Sequence, residues 1–124
     1  MQKLFLIIGS LAMAVAVALG AFGAHGLKEM LTQEMLDIFE TGVRYHFYHA
    51  IGLLFIGVIT HWLPDSLLLQ WSGWLMVAGI VIFSGSLYSL SISGLRWLGA
   101  ITPVGGLCFI AGWIMLATTL WQTM

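Results

Sequence analysis

Charge is what this chain has least of. Only 7% of its 124 residues are Asp, Glu, Lys or Arg, four basic and five acidic, giving a net charge of −1. Soluble domains carry about 25%. No basic patch can be assembled from so few cations, which excludes nucleic acid as a partner. Cysteine is almost absent. Cys108 stands alone, so an intrachain disulfide and any site built from several thiolates are excluded. In its apolar run it reads as an inert buried thiol rather than a reactive one. The chain also lacks a phosphate-binding loop, a nucleotide fingerprint and paired carboxylates within its apolar runs.

Apolar residues fill the space, at 60% of the chain against about 45–50% in soluble domains. A soluble fold this small could not hide so much apolar surface, since small domains leave a large share of their surface exposed. The natural solvent is lipid. Four apolar runs emerge, at residues 4–24, 43–63, 71–93 and 98–121. Each is close to the ~20 residues a helix needs to cross the hydrocarbon. They lack strand-like alternation, and only helices and closed barrels satisfy their backbone in lipid. Lys3, the apolar run and Ala21-Phe22-Gly23-Ala24 together imitate a signal peptide. The run is too long for a typical h-region, so it is read as an uncleaved first span. Trp62, Trp71, Trp74, Trp97 and Trp121 fall near span ends, where indole favours the membrane boundary.

The connections differ in character. Leu27, Met30, Leu31, Met35, Ile38 and Phe39 recur at helical spacing, with Lys28, Glu29, Gln33, Glu34, Asp37 and Glu40 on the other face. This predicts an amphipathic helix over about 28–41, lying either on the membrane interface or against protein. Thr32 is a candidate N-cap, and Gly42 a candidate stop or hinge. A short turn is expected around Pro64-Asp65, and a tight one at 94–97 carrying Arg96. Pro103 marks the first turn of the last span or kinks it. The expected fold is therefore an all-α membrane protein, one domain over 1–124, with four transmembrane helices and an interfacial helix between the first two.

With four spans, both termini share one side, here called A. Lys3 lies on A; Lys28, Arg44 and Arg96 lie on the opposite side, B. The positive-inside rule then places B in the cytoplasm and both termini in the periplasm. Small residues form stripes suited to close helix approach: Ala12, Ala16, Gly20 and Ala24 in the first span, Gly105 and Gly106 in the last. These stripes suggest a homo-oligomer; beyond copies of itself, the expected partner is the lipid bilayer.

Depth is the most informative coordinate. Counting ~1.5 Å per residue, side B collects His25, Arg44, Tyr45, His46, His49, Ser84, Ser86, Tyr88 and Thr102, while the A half holds few such groups in its spans apart from Ser10. Hydrocarbon is costly for polar side chains, so those on B should face one another or a wet cavity. Arg44, Tyr45, Tyr48 and His49 lie on overlapping turns, and His46 and His49 are three apart. Arg44 needs Glu40, helix-end carbonyls or an anionic ligand as its partner.

Several readings of the layer stay open. It is a network locking the bundle, or a site that binds or passes a small polar or anionic molecule or a lipid head group. His25, Arg44, Tyr45, His46, His49, Ser86, Tyr88 and Thr102 are the candidates for such a site, and histidine titration would suit proton coupling there. A metal site on His25, His46 and His49 has weaker support, because an HxxH pair alone is unspecific. No cofactor is expected. Catalysis has least support: a serine nucleophile needs an oriented base, and serines crowded into one span more often bond back to the helix backbone.

Gly20-Ala21-Phe22-Gly23-Ala24-His25-Gly26-Leu27, Thr41-Gly42-Val43-Arg44-Tyr45-His46-Phe47-Tyr48-His49-Ala50, Phe83-Ser84-Gly85-Ser86-Leu87-Tyr88 and Thr102-Pro103-Val104-Gly105-Gly106 form a recognisable set, with Gly112-Trp113 further on. Over essentially its whole length the chain resembles the YgdD-like family of small bacterial inner-membrane proteins, which has eukaryotic small transmembrane relatives. That resemblance implies four membrane helices and the inner membrane of a Gram-negative bacterium. It carries no activity, but its signatures coincide with the polar layer on side B.

Overall fold

The structure is a computed structural model describing residues 1–124, and it is all helical. Helix α1 spans Gln2–His25 and α2 spans Gln33–Thr60. The third crossing is α3, Leu67–Gly79, a π-helical turn at Ile80–Ser84, and α4, Gly85–Ser93. A short 3-10 helix, Arg96–Ala100, leads into α5, Thr102–Thr123. Four continuous helical stretches are long and apolar enough to cross a membrane. Each satisfies its own backbone, the condition hydrocarbon imposes.

Local chemistry sets the helix ends. The Thr32 hydroxyl accepts a hydrogen bond from the Met35 N–H at 3.3 Å, and Ser66 does the same for Leu69 at 3.2 Å. Both are side-chain N-caps. Gly94 ends α4 in the left-handed region at φ 72°, where a Cβ would be strained. Pro103 sits in the first turn of α5, where its missing N–H costs nothing. Trp62, Trp71, Trp97 and Trp121 all lie exposed near the ends of the crossings.

One expectation needs correction. No separate interfacial helix occupies 28–41. Residues 26–31 form turns, and from Gln33 the chain enters α2, which runs without a break through Gly42 into the membrane. The apolar side of this segment faces protein at two points, since Leu27 and Phe39 are buried. Gly42 is neither stop nor hinge. A Cβ there would lie 2.9 Å from the Tyr88 ring, so the glycine lets α4 approach α2.

In the bundle α1 packs on α2, α2 on α3, the π turn and α4, and α5 on α3 and the π turn. Phe5, Leu53, Ile56, Leu69, Met76, Phe109 and Leu116 form the buried core. Within it the Ser72 hydroxyl donates to the Gly112 carbonyl at 2.7 Å, joining α3 to α5. Ser72, Thr60 and Thr119 are buried polar groups outside the side-B layer, so the A half is less apolar than its sequence suggests. Both threonines bond back to carbonyls of their own helices at 2.8 Å.

Ala16, Gly20 and Gly105 of the small-residue stripes serve contacts inside the chain. Ala16 is buried, and a Cβ on Gly20 would meet Val43 at 3.4 Å. Gly105 has the tightest approach: a Cβ there would overlap the backbone nitrogen of Phe83 in the π turn. Gly106 is less constrained, with Phe83 ring atoms 3.8 Å from such a Cβ. Gly105→Ala should therefore destabilise the protein in detergent by about 1–3 kcal/mol, the usual cost of overpacking. Gly106→Ala should stay within about 0.5 kcal/mol of the parent. Thermal unfolding of the two variants side by side checks this.

Candidate functional site

The polar layer on side B is present, but only part of the expected set builds it. His46 and His49 sit on the buried face of α2 with Gly42, Ala50 and Leu53. A hydrogen bond of 2.8 Å joins His46 Nδ1 to the Tyr88 hydroxyl on α4. The Ser84 hydroxyl donates to the Gly42 carbonyl at 2.7 Å, tying the π turn to α2. The Ser86 and Thr102 hydroxyls lie 2.6 Å apart and join α4 to α5. Two of these bonds thus pin the second crossing to the third, and one pins the third to the fourth.

His49 is held differently. Its Nδ1 lies 2.7 Å from the Tyr45 carbonyl oxygen. A carbonyl can only accept, so Nδ1 carries the proton. The imidazole stacks on Phe109 with ring centroids 3.5 Å apart and planes 11° from parallel. Tyr45 covers this region from the side, its ring 4.7 Å from Phe83. Every buried side-chain nitrogen or oxygen has a hydrogen-bond partner within the protein. The Nδ1 atom of each of the two histidines is thus partnered within the bundle.

The remaining candidates lie elsewhere. Arg44 points outward with half its side chain exposed, and bonds Glu40 one turn earlier at 3.3 Å. Of the three partners considered for it, the structure supplies the carboxylate. Tyr45 and Tyr48 are also more exposed than the two histidines, so the face inferred from spacing alone is rotated from the buried one. His25 closes α1 and is exposed. No three His, Cys, Asp or Glu side chains come close enough together to hold a metal ion. The trio of His25, His46 and His49 therefore does not converge.

Two features escaped sequence reasoning. The first is a bidentate ion pair between Arg96, before α5, and Glu34 in the first turn of α2, at 2.9 and 3.3 Å. A charge on the polar face of an amphipathic segment gives no hint of a partner 62 residues away. The second is a groove of about 510 Å³ between the end of α1 and the first turns of α2. The Gly20, Gly23 and Ala24 spacing was the available signal, because small residues leave room beside a helix.

The Arg96 hydrogen bond and charge hold the Glu34 carboxyl below its ordinary value of 4.5. A depressed folded value means the pair stabilises the fold above pH 4.5, and the effect fades as pH falls through the folded value. Both groups are exposed, so salt should weaken the pair. Glu34→Gln should therefore melt slightly below the parent at neutral pH and low salt, with the gap closing in acid. Melting curves across pH and ionic strength check both arms.

Comparison with known proteins places this geometry in a family. The chain is 51% identical to the UPF0382 membrane protein of Staphylococcus haemolyticus over 115 residues, covering 93% of each protein. It is 49% identical to the UPF0382 membrane protein YwdK of Bacillus subtilis, over 93% of this chain and 94% of that one. The UPF0382 membrane protein of Staphylococcus saprophyticus matches equally, at 49%. No solved structure matches. Residues 19–106, from the last turns of α1 to the first turn of α5, match the family described as protein of unknown function DUF423, and with these relatives the chain belongs to that family of multi-pass membrane proteins.

Proposed function

We propose that this chain is a non-catalytic structural or assembly protein of the bacterial plasma membrane, and that its polar layer fastens the helices rather than receiving a ligand. The observation that carries this reading is that the layer's hydrogen bonds run from helix to helix. His46–Tyr88, Ser84–Gly42 and Ser86–Thr102 each cross between helices, and every side-chain polar atom fully shut off from the surface has a partner inside the protein. A site for a polar solute would hold groups waiting for a partner. Catalysis has no support either, because none of the buried serines bonds a histidine: Ser84, Ser86 and Ser91 all donate to backbone carbonyls.

The bacterial plasma membrane as location rests on relatives named as membrane proteins of bacteria. Orientation follows from the basic residues near the crossings. Lys28, Arg44 and Arg96 flank one side and Lys3 the other. Acidic partners count little in this rule, so the Glu40 and Glu34 pairings leave the bias intact. Side B then faces the cytoplasm and both termini face outward. A cysteine at position 124 should react with a membrane-impermeant maleimide in intact spheroplasts. Labelling only after lysis reverses the orientation.

The layer itself is tested by variants that separate fastening from binding. Tyr88→Phe removes a hydroxyl from a buried pair and leaves His46 Nδ1 unpartnered, so it should cost about 1–3 kcal/mol. Ser84→Ala should cost less, about 0.6 kcal/mol, since the Gly42 carbonyl keeps its helical partner. Arg44→Ala loses only an exposed pair within one helix and should cost at most about 0.5 kcal/mol. Thermal unfolding in mild detergent should give that ranking. A Tyr88→Phe protein as stable as the parent, which has lost a small molecule that the parent retains in native mass spectrometry, would make the layer a binding site.

A further inference from the structure

The groove between α1 and α2 lies outside the polar layer and is built differently. Gly20, Gly23 and Ala24 line its α1 side, at the membrane boundary where the first crossing ends. Phe39 backs it and is buried, because Gly23 leaves no room for a Cβ beside that ring, at 2.9 Å. Ala24 is exposed and Gly20 meets only Val43. No large side chain of α1 therefore projects into the groove of about 510 Å³.

Its polar residues carry charges of both signs that do not neutralise each other. Lys28 and Asp37 both line the groove, yet they form no ion pair with each other or with any other residue. The Asp37 carboxylate accepts a single hydrogen bond, from the Gln33 amide at 2.8 Å. Glu40, the other acid of the lining, is already offset by Arg44. What remains is one free cation and one free anion, separated, above an apolar floor at a membrane boundary. A purely anionic guest would satisfy Lys28 and be repelled by Asp37. A purely cationic guest would do the reverse. A zwitterion answers both.

We infer that this groove seats a membrane phospholipid with a zwitterionic phosphoethanolamine head group, Lys28 holding the phosphate, Asp37 accepting from the ammonium, and an acyl chain lying along Gly20 and Ala24. A primary ammonium can donate a charge-assisted hydrogen bond to the Asp37 carboxylate. The occupant is lipid rather than a soluble metabolite because the groove opens beside an exposed apolar helix, where bilayer lipid is the abundant neighbour.

The test is native mass spectrometry of the full-length protein. It is purified in mild detergent and offered phosphatidylethanolamine and phosphatidylglycerol of matched chains at equal concentration. The parent should retain phosphatidylethanolamine at least about tenfold more strongly, one decade in Kd. Lys28→Gln and Asp37→Asn should each bring retention down to the phosphatidylglycerol level. Asp37→Asn keeps the carbonyl oxygen that Gln33 bonds, and Lys28 has no partner to lose, so both should melt with the parent. Ala24→Phe should abolish the preference by filling the groove while leaving both charges in place. Equal retention of the two lipids by the parent overturns the proposal, as does undiminished preference in the folded Lys28→Gln and Asp37→Asn proteins. So does binding of soluble phosphoethanolamine as strong as that of the lipid. None of these variants touches the polar layer, and their readout is a retained mass rather than a melting point. The groove can therefore fail while the layer's fastening role stands.

Discussion

A polar group inside hydrocarbon has no water to fall back on, and each feature of this bundle answers that constraint. Backbone groups answer it by staying helical through every crossing. Side chains answer it in two ways. Thr60, Thr118 and Thr119 bond a carbonyl one turn back on their own helix, which hides the hydroxyl but fastens nothing. Ser72, Ser84, Ser86 and His46 bond across to another helix. The second solution fixes how the helices sit, because apolar packing alone discriminates weakly among arrangements when lipid is as apolar as the side chains.

Cross-helix bonds need close backbones, and glycine supplies the closeness. Gly42 is the clearest example. Its lack of a Cβ admits the Tyr88 ring, and its own carbonyl receives the Ser84 hydroxyl. One residue thus provides both the space and the acceptor. The π turn at Ile80–Ser84 is the matching device on the third crossing. A π turn holds an extra residue relative to an α turn. Side chains beyond Ser84 are thereby shifted in phase from those before Gly79. Ser72 and Met76 face α5 and the core before the turn, and Ser86 and Tyr88 reach α5 and α2 after it. Gly105 lies directly on the turn at Phe83.

These devices explain which parts of the fold were legible in the sequence. The four crossings announce themselves by run length and by tryptophans at their ends, because bilayer thickness is a fixed external ruler. Depth is equally readable, since it follows from residue count, and the polar layer on side B was found that way. Rotation about each helix axis was not readable. In a crossing apolar on all sides, periodicity does not say which face is inward. Arg44, Tyr45, Tyr48 and His49 share overlapping turns, yet the buried face runs through Gly42, His46, His49 and Leu53. Gly42 was misread because helix propensity treats glycine as a breaker, whereas here tertiary packing requires it inside a helix. Nothing in Ile80–Ser84 marks a π turn. The groove was missed because its charges sit on the polar face of a segment read as a separate amphipathic helix, whereas the chain from Gln33 onward is the first part of α2.

The layer and the groove share a wall, and that contact connects fastening to the membrane surface. Phe39 backs the groove and packs on Tyr88 at 5.0 Å between ring centroids. Tyr88 in turn holds His46. Phe39 is buried with almost no exposed surface, so it has little freedom to move independently of Tyr88. Phe39 and Tyr88, tilted 43° to one another, thus link the groove floor to the hydrogen bond between α2 and α4. A loosened Tyr88 leaves Phe39 unsupported and the groove without a firm back wall. The small residues on α1 are consistent with this arrangement: Gly23 gives Phe39 its place, and Gly20 and Ala24 keep the space above it open. The same glycine-rich turn of α1 therefore shapes both the interior contact and the cleft at the membrane boundary.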